Sequence, residues 1–155
     1  MLEYMLDTNI CIYGIKNRPD ALRERFDQLA EALCISTITL GELLYGVEKS
    51  ARRSQNLQAV EQFAARLEVL LFSAKAAAHF GQIRAELARV GWPCGAYDML
   101  IAAHARSEGL TLVTNNVREF QRMPRLRIDN WVLEADEHGG GTGSEHRLTP
   151  ARSRA

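Results

Sequence analysis

The sequence has few of the features that mark secreted, membrane-bound or disulfide-rich proteins. Its three cysteines, Cys11, Cys34 and Cys94, are odd in number and widely spaced, which predicts reduced thiols rather than a disulfide framework or a zinc site. No apolar run approaches the ~20 residues that span a bilayer, and the amino-terminal residues lack the basic and long apolar regions of a signal peptide. These absences predict a cytoplasmic protein with no membrane segment.

An excess of charge of one sign is also missing, because 19 Lys and Arg residues balance 19 Asp and Glu residues. A net charge of zero gives no general argument for nucleic acid binding. Lysine itself is scarce, since the basic residues include only Lys16, Lys49 and Lys75. Arginine is the better bidentate ligand for phosphate, but it is equally common in surface ion pairs. Charge alone therefore favours neither a nucleic acid partner nor its absence.

The sequence does contain short apolar segments that alternate with helical patterns. The predicted strands cover 3–6, 33–37, 69–72, 110–114 and 126–131, and the predicted helices cover 8–15, 19–33, 39–50, 56–68, 74–91 and 96–109. This alternation predicts an α/β domain with a mostly parallel central sheet. The domain is expected to span residues 1–133. Residues 134–155 are rich in Gly and have little to bury, which predicts a disordered tail.

Several acidic residues lie where a helix begins, and each has a purely structural interpretation. Asp7 follows the first strand and is suited to accept an N–H bond at the start of the next helix. Residues 39–42 ("TLGE") and 116–119 ("NVRE") have spacings that fit capping boxes. Asp98 lies in the first turn of its helix, where a negative charge suits the helix dipole. Taken one at a time, these residues favour capping over catalysis.

Taken together, the same residues indicate a metal site. In a parallel α/β sheet the strand-to-helix junctions lie along one edge, where ligands bind. That edge would collect four acids and one amide: Asp7, Glu42, Asp98, Asn116 and Glu119. Converging carboxylates repel one another and their pKa values rise, and a divalent cation removes this conflict. Hard oxygen ligands select Mg²⁺ or Mn²⁺ over zinc.

Other kinds of site have less support. The sequence contains neither a G-x-x-x-x-G-K-[ST] loop nor a G-x-G-x-x-G motif, so phosphate binding by a glycine-rich loop is not indicated. No Ser or Cys has an evident His and acid partner for nucleophilic catalysis. A phosphatase with Asp7 as a covalent nucleophile stays open, although the second acid expected two residues later is Asn9.

Four segments in order carry a resemblance to a known family. They are "MLDTNICIY", "STITLGELLYGVEKS", "GQIRAELARVGWPCGAYDMLIAAHARSEGLTLVTNNVREF" and "RIDNW". Together, over residues 1–133, they resemble the PIN-domain ribonucleases, and most closely the enteric VapC toxins of type II toxin–antitoxin systems. The resemblance implies a PIN-like, three-layer α/β/α domain with an acidic groove at the carboxyl ends of the strands.

The resemblance also implies roles for individual residues. Asp7, Glu42 and Asp98 match the metal-binding, catalytic acids of the family. Asn116 and Glu119 match the region that completes the site, with Glu119 as a further catalytic acid. Many relatives have Asp at position 116, so Asn116 removes one charge and implies weaker binding of a second metal. The supporting positions are Thr8, Asn9 and Thr114.

The function implied by the resemblance is that of a toxin. It is a Mg²⁺-dependent endoribonuclease, with Mn²⁺ as a substitute, that hydrolyses RNA and so inhibits translation. The expected substrate is tRNA, specifically the anticodon stem-loop of initiator tRNA. The implied partners are a VapB-type antitoxin that inserts into the acidic groove and a second toxin chain in a homodimer, with a larger hetero-oligomer left open.

The sequence leaves open two further functions within the same fold. One is a catalytically inactive RNA-binding or regulatory PIN module, and the other is a DNA-active PIN-like nuclease, because fold alone does not fix the substrate. The candidate RNA contacts are Arg84 and Arg118, with Arg89, Arg106, Trp92 and Tyr97 as further possibilities. For each of these side chains, an ordinary surface or packing role is an equal alternative.

Overall fold

A computed structural model describes residues 1–17 and 19–132 of the chain. The predicted tail at 134–155 and the predicted domain end at 133 lie outside the described residues. The centre of the domain is a five-stranded parallel sheet with the strand order β3-β2-β1-β4-β5. Its strands are β1 (Tyr4–Leu6), β2 (Leu33–Ser36), β3 (Glu68–Leu70), β4 (Thr111–Val113) and β5 (Ile128–Asp129). The predicted parallel α/β sheet is therefore confirmed.

Seven α-helices connect and cover the strands within the described residues. They are α1 (Thr8–Asn17), α2 (Asp20–Gln28), α3 (Thr37–Glu48), α4 (Arg53–Ala64), α5 (Ala74–Arg89), α6 (Ala96–Ser107) and α7 (Val117–Phe120). In the described part of the chain, no helix is long and apolar enough to cross a bilayer.

Two predicted elements were too long. The helix predicted for 19–33 ends at Gln28 and gives way to a 3₁₀ turn at Ala30–Ala32. The strand predicted for 126–131 has only two residues, because Asp129 turns the chain. Its carboxylate accepts bonds from the N–H of Asn130 and from Nε1 of Trp131, both at 2.9 Å.

The alternation of side chains along each strand gives the sheet two buried faces. Met5 and Leu112 pack in one core with residues of α5 and α6. Leu6 and Val113, the next residues on the same strands, pack in a second core with residues of α1, α2, α3 and α4. Because strand side chains alternate with a period of two, short continuous apolar strands produce both cores. The three-layer α/β/α architecture is confirmed.

The order of the strands places a ligand site beside β1. After β1 the chain builds β2 and β3 on one side of it, and then crosses to add β4 and β5 on the other side. The two helices of this crossing, α5 and α6, are each followed two residues later by a glycine with positive φ, +68° at Gly91 and +66° at Gly109. In open α/β sheets, ligands bind at the carboxyl ends of the strands where the direction of winding reverses. In this sheet that point lies between β1 and β4.

Candidate active site

Asp7 lies at the point where the winding of the sheet reverses. Its N–H donates to the carbonyl of Val113 at 3.0 Å, so the carboxyl ends of β1 and β4 are joined there. The side chain is only 2% exposed. Oδ1 accepts the N–H of Ile10 at 2.8 Å and Oδ2 accepts the hydroxyl of Thr114 at 2.5 Å. The predicted capping of α1 by Asp7 is confirmed, and the same contacts fix the carboxylate at the edge of the sheet.

The pKa of Asp7 is raised from 3.8 to about 6, mainly because the side chain is buried and to a smaller extent because of the charge of Glu42. The bonds from Thr114 and Ile10 work in the opposite direction, because they stabilise the ionised carboxylate. The side chain is thus held in place by donors while its surroundings disfavour its charge. This is the situation that a nearby cation would relieve.

Glu42 faces the site from α3, and its partner is distant in sequence. Oε1 of Glu42 accepts the hydroxyl of Thr8 at 2.7 Å, and Oγ1 of Thr8 lies 3.3 Å from Oγ1 of Thr39. The capping box predicted for 39–42 is wrong. The N-cap of α3 is Ser36, whose side chain accepts the N–H of Ile38 at 3.1 Å. Thr39 therefore lies inside the helix, and Glu42 is free to reach across to α1.

Asp98 and Glu119 meet at the start of α6. The N–H of Gly95 donates to Oε1 of Glu119 at 3.2 Å. A Cβ atom at position 95 would lie 3.5 Å from Oδ2 of Asp98 and 3.8 Å from Oε1 of Glu119. The pKa of Asp98 is raised to about 7. Burial is the largest cause, and the hydrogen bond with Glu119 and the charges of Glu119, Asp7 and Glu42 add to it. The structure thus brings Asp98 and Glu119 close enough to Asp7 and Glu42 for their charges to act on one another, whereas their joint role as metal ligands stays a prediction.

Asn116 connects Glu119 to Asp7. Its Nδ2 donates to Oε2 of Glu119 at 2.9 Å, and its N–H donates to Oγ1 of Thr114 at 2.9 Å. The capping box predicted for 116–119 is wrong, because Asn116 makes no side-chain bond to the backbone of α7. Its amide binds the carboxylate of Glu119 instead. A continuous chain of contacts therefore runs from Asp7 through Thr114 and Asn116 to Glu119.

Sequence reasoning missed Gly95 and misassigned Thr39. Gly95 acts through its backbone N–H, which carries no signal in the residue type. Thr39 fitted a local spacing motif, and only the contact with Thr8, 31 residues away in sequence, shows its position. One signal in the sequence could have corrected the position of Thr39. If the second strand is ended at Ser36 instead of residue 37, Ser36 becomes the first residue suited to cap α3.

The other residues named from the sequence make none of these contacts in the part of the chain that the structure describes. Asn9 is exposed in the first turn of α1, and Arg118 is exposed on α7. Arg84 is exposed on α5, with its guanidinium 5.9 Å from the ring centroid of Phe80. Arg106 is not available for phosphate, because it donates to Nδ1 of His79 at 2.8 Å as well as to three other acceptors. Contacts of Arg84 and Arg118 with RNA stay predictions.

The aromatic side chains near Asp98 differ in their exposure. Tyr97 is 61% exposed beside it. Trp92 is half-buried, and the guanidinium of Arg122 lies 3.3 Å from its ring centroid. Trp92 therefore already has a stacking partner, whereas Tyr97 presents an open ring surface.

The site has the donor chemistry for a metal without a preformed ligand sphere. Among residues 1–17 and 19–132, no three Asp, Glu, His or Cys side chains are arranged so that they could hold an ion as they stand. Glu42 is turned toward Thr8, and Glu119 toward Gly95 and Asn116. The available donors are carboxylate oxygens, the ligands of hard cations. A bound cation would lower the raised pKa values of Asp7 and Asp98. The residues present therefore fit a divalent ion.

Comparison with known proteins identifies the family. The PIN domain model matches residues 4–126. The chain is 58% identical over 131 residues to the tRNA(fMet)-specific endonuclease VapC of Salmonella typhimurium. The alignment covers 84% of this chain and 99% of that protein. PIN-domain nucleases use divalent metal ions, in agreement with the donor set.

Solved structures show the same relationship. The chain superposes on the crystal structure of DNA-bound VapBC from Salmonella typhimurium with a TM-score of 0.83 and 58% identity, over 84% of this chain and 99% of that one. It superposes on VapBC2 from Rickettsia felis, bound to a DNA fragment from its promoter, with a TM-score of 0.81 and 45% identity over the same shares. The chain therefore belongs to the PIN-domain family and, within it, to the VapC ribonucleases of toxin–antitoxin systems.

Proposed function

We propose that this chain is the toxin of a VapBC-type pair and that it cleaves tRNA with the help of Mg²⁺, thereby inhibiting translation. The observation that carries the proposal is the chain of contacts from Asp7 through Thr114 and Asn116 to Glu119, which lies beside Asp98 where the winding of the sheet reverses. The substrate we propose is initiator tRNA, cut in its anticodon stem-loop. The name of the Salmonella relative, a tRNA(fMet)-specific endonuclease, supports this choice.

Asp7 and Asp98 would hold the ion, with Glu42 and Glu119 completing the site. We assign Mg²⁺ because the donors are carboxylate oxygens, and Mn²⁺ is accepted by the same ligands. When bound, the ion supplies charge neutralisation at the reacting phosphate and lowers the pKa of water. A second ion is bound more weakly, because Asn116 brings an amide where an acid would add a charge.

The side chains around the reacting phosphate have separate tasks. Thr114 and the N–H of Ile10 hold both oxygens of Asp7, so its carboxylate cannot rotate. Thr8 holds Oε1 of Glu42 at 2.7 Å, which leaves Oε2 to orient the attacking water and to accept its proton. Asn9 supports the start of α1. Hydrolysis of this kind leaves a 5′-phosphate and a 3′-hydroxyl.

The geometry disfavours a covalent phosphatase. Both carboxylate oxygens of Asp7 accept hydrogen bonds, and the side chain is 2% exposed. A covalent nucleophile must turn one oxygen toward phosphorus in line, whereas a metal ligand needs only the second lone pair of an oxygen that already accepts a hydrogen bond. An inactive RNA-binding module would differ from the proposed enzyme in showing no turnover, and a DNA-active nuclease would differ from it in substrate. A cleavage assay therefore separates both from the proposed function.

The proposed partner is a VapB-type antitoxin that occupies the acidic groove, with the toxin acting as a homodimer. The relatives with solved structures are VapBC complexes, which supports this pairing. We assign the activity to the domain predicted at 1–133 and place it in the cytoplasm, where tRNA takes part in translation.

The test is cleavage of initiator tRNA by the purified, antitoxin-free chain in Mg²⁺ or in EDTA. We expect a discrete fragment with a 5′-phosphate in Mg²⁺ and none in EDTA. Asp98→Asn should lower the rate by more than about 100-fold, because ligand loss exceeds the effect of losing a supporting residue. Asp27→Asn is the matched control, since Asp27 is an exposed acid that pairs with Arg66 at 3.2 Å, and it should leave the rate unchanged.

Four outcomes would contradict the proposal. Folded protein without metal-dependent turnover would indicate the inactive module. Preferential cleavage of branched DNA would indicate the DNA-active nuclease. Full activity of Asp98→Asn would remove Asp98 from the metal site. Addition of the cognate antitoxin should stop cleavage, and a failure to do so would contradict the proposed pairing.

A further inference from the structure

A groove leads away from the carboxylates between α1, α3 and α4. It has a volume of about 580 Å³, and Thr8 and Glu42, which bond to each other at 2.7 Å, lie at its end. Its floor is apolar, with Leu43 and Val60 among the buried residues. We call it the α3 groove. Because Thr8 and Glu42 belong to both, the α3 groove adjoins the candidate active site.

The rim of the α3 groove is cationic in a chain that has almost no lysine. Two of the three lysines, Lys16 and Lys49, line this groove, and both are exposed. The third, Lys75, lies on α5 with its Nζ 3.7 Å from a carboxylate oxygen of Glu108. The groove therefore continues from an acidic site into a positive rim.

One face of α3 carries the path. Residues three and four apart share a helix face, so Glu42, Tyr45 and Lys49 follow one another along the groove. Tyr45 is 67% exposed, and Nζ of Lys49 lies 5.1 Å from its ring centroid. Between them, a side chain at Gly46 would meet no atom within 4 Å, so the space above the helix is open.

The positive charge continues beyond the end of α3. Ser50 borders both the α3 groove and a shallow surface formed by residues 50–55. On that surface Arg53 pairs with Glu48 at 2.6 Å, and Arg52 is exposed. The sequence "KSARR" at 49–53 thus extends the cationic rim away from the carboxylates.

The distances suit a single strand. Glu42 and Lys49 are seven residues apart, about 10 Å along the helix axis. That length corresponds to about three nucleotide steps at the ~3.4 Å spacing of a stacked strand. A strand whose scissile phosphate lies at the carboxylates would therefore pass Tyr45 and reach Lys49 within a few nucleotides.

We propose that the α3 groove binds the single-stranded RNA next to the scissile phosphate, with Lys16 and Lys49 on its phosphates and Tyr45 stacked on an unpaired base. The inference rests on the proposed function, and it adds the requirement that the substrate be unpaired on this side. Lysine serves as a point charge for phosphate, and an exposed tyrosine ring stacks on any base that is not already paired.

The first test measures RNA binding in an Asp98→Asn background, which separates binding from cleavage. The probe is a fluorescent anticodon stem-loop RNA titrated at several salt concentrations. The slope of the logarithm of the binding constant against the logarithm of the salt concentration is negative. Lys16→Gln/Lys49→Gln should make it shallower by about 1.4, because each contact with a single-stranded phosphate contributes about 0.7 to its magnitude. At 0.15 M salt this amounts to about 10-fold weaker binding. Lys75→Gln, the matched control, should leave slope and affinity unchanged.

The second test compares two RNAs, the stem-loop and a fully paired duplex of the same composition. Tyr45→Ala should weaken binding of the stem-loop by about 5- to 100-fold, in line with the loss of one stacked base, and should leave the duplex unaffected. Tyr45→Phe keeps the ring and should bind as well as the unchanged side chain. All these positions are exposed, and matching melting temperatures would verify folding.

Equal salt slopes for Lys16→Gln/Lys49→Gln and Lys75→Gln would overturn the inference, as would an unchanged stem-loop affinity in Tyr45→Ala. Weaker binding of the antitoxin with RNA binding intact would make the groove a protein interface and overturn it as well. The proposed function fails separately, if RNA binds in the groove as expected but the chain with Asp98 intact shows no metal-dependent cleavage.

Discussion

One amide, that of Asn116, determines how Glu119 is held. Nδ2 of Asn116 donates to Oε2 of Glu119, while the N–H of Gly95 donates to Oε1. Two donors therefore fix the orientation of this carboxylate beside Asp98. Asn116 donates a hydrogen bond to Glu119 without adding a charge to the site. Replacing it with an acid should therefore change the affinity of the site for metal directly.

Asn116→Asp should lower the Mg²⁺ concentration needed for half-maximal cleavage by about 10-fold, the scale of supporting contacts in metal sites. The change removes the donor to Glu119 and adds a carboxylate, so more negative charge faces the ion. A Mg²⁺ titration of the cleavage rate measures the effect. Asn115→Asp introduces the same charge at an exposed neighbour and serves as control. Equal Mg²⁺ requirements in the two variants would contradict the role given to Asn116.

At the scale of elements, α3 and α6 are connected through a buried contact. Nδ1 of His104, on α6, lies 2.7 Å from Oγ of Ser36, which caps α3. His104 is fully buried, and its Nε2 has no hydrogen-bond partner. Burial lowers the pKa of His104, so the ring is neutral. The contact therefore joins the start of α3, which carries Glu42, to α6, which carries Asp98.

Ser36→Ala should lower the free energy of unfolding by about 2–4 kcal/mol. Loss of the cap costs about 1 kcal/mol, and leaving Nδ1 of His104 without a partner costs about 1–3 kcal/mol more. Ser73→Ala is the matched control. Ser73 caps α5 through a 3.1 Å bond from Ala76 without a buried His, so its loss should cost about 1 kcal/mol. Equal losses in urea denaturation would show that the contact with His104 contributes nothing.

The elements themselves could be predicted because their signals are local. Apolar runs such as residues 110–114 indicated buried parallel strands, and helical spacing indicated α5 and α6. Asp7 was predicted both to cap α1 and to lie at the ligand edge, and its contacts agree with both. The topology then brings Asp7 and Asp98 together, although they are far apart in sequence.

The partners of individual side chains could not be predicted in the same way. Both proposed capping boxes had the correct spacing, yet Glu42 bonds to Thr8 and Glu119 bonds to the Asn116 side chain. A spacing motif considers only the hydrogen-bond donors within one helix turn. These carboxylates accept bonds from donors that the tertiary fold brings close. The donor from Gly95 is a backbone group and leaves no trace in the residue type.

At the scale of the whole molecule, the site costs stability that a cation should return. The folded-state pKa values of Asp7 and Asp98, about 6 and about 7, lie above their ordinary value of 3.8. Between about pH 4 and about pH 7 these two carboxyl groups bind more protons in the folded chain than in the unfolded chain. The contribution of Asp7 and Asp98 to the free energy of unfolding therefore falls as the pH rises from about 4 to about 7. His104 acts oppositely, because its lowered pKa makes stability fall as pH drops below 6.5.

Melting temperatures with and without Mg²⁺ should therefore depend on pH. At pH 8 both acids are ionised and repel, so Mg²⁺ should raise the melting temperature more than at pH 5.5, where it must displace protons. Without metal, Asp98→Asn should melt about 2–8 °C higher than the unchanged chain at pH 8, and the difference should shrink toward pH 5. His104 is present in both chains and cancels from this comparison. An equal Mg²⁺ effect at both pH values, or an Asp98→Asn chain no more stable at pH 8, would mean that carboxylate repulsion does not limit the stability of the fold.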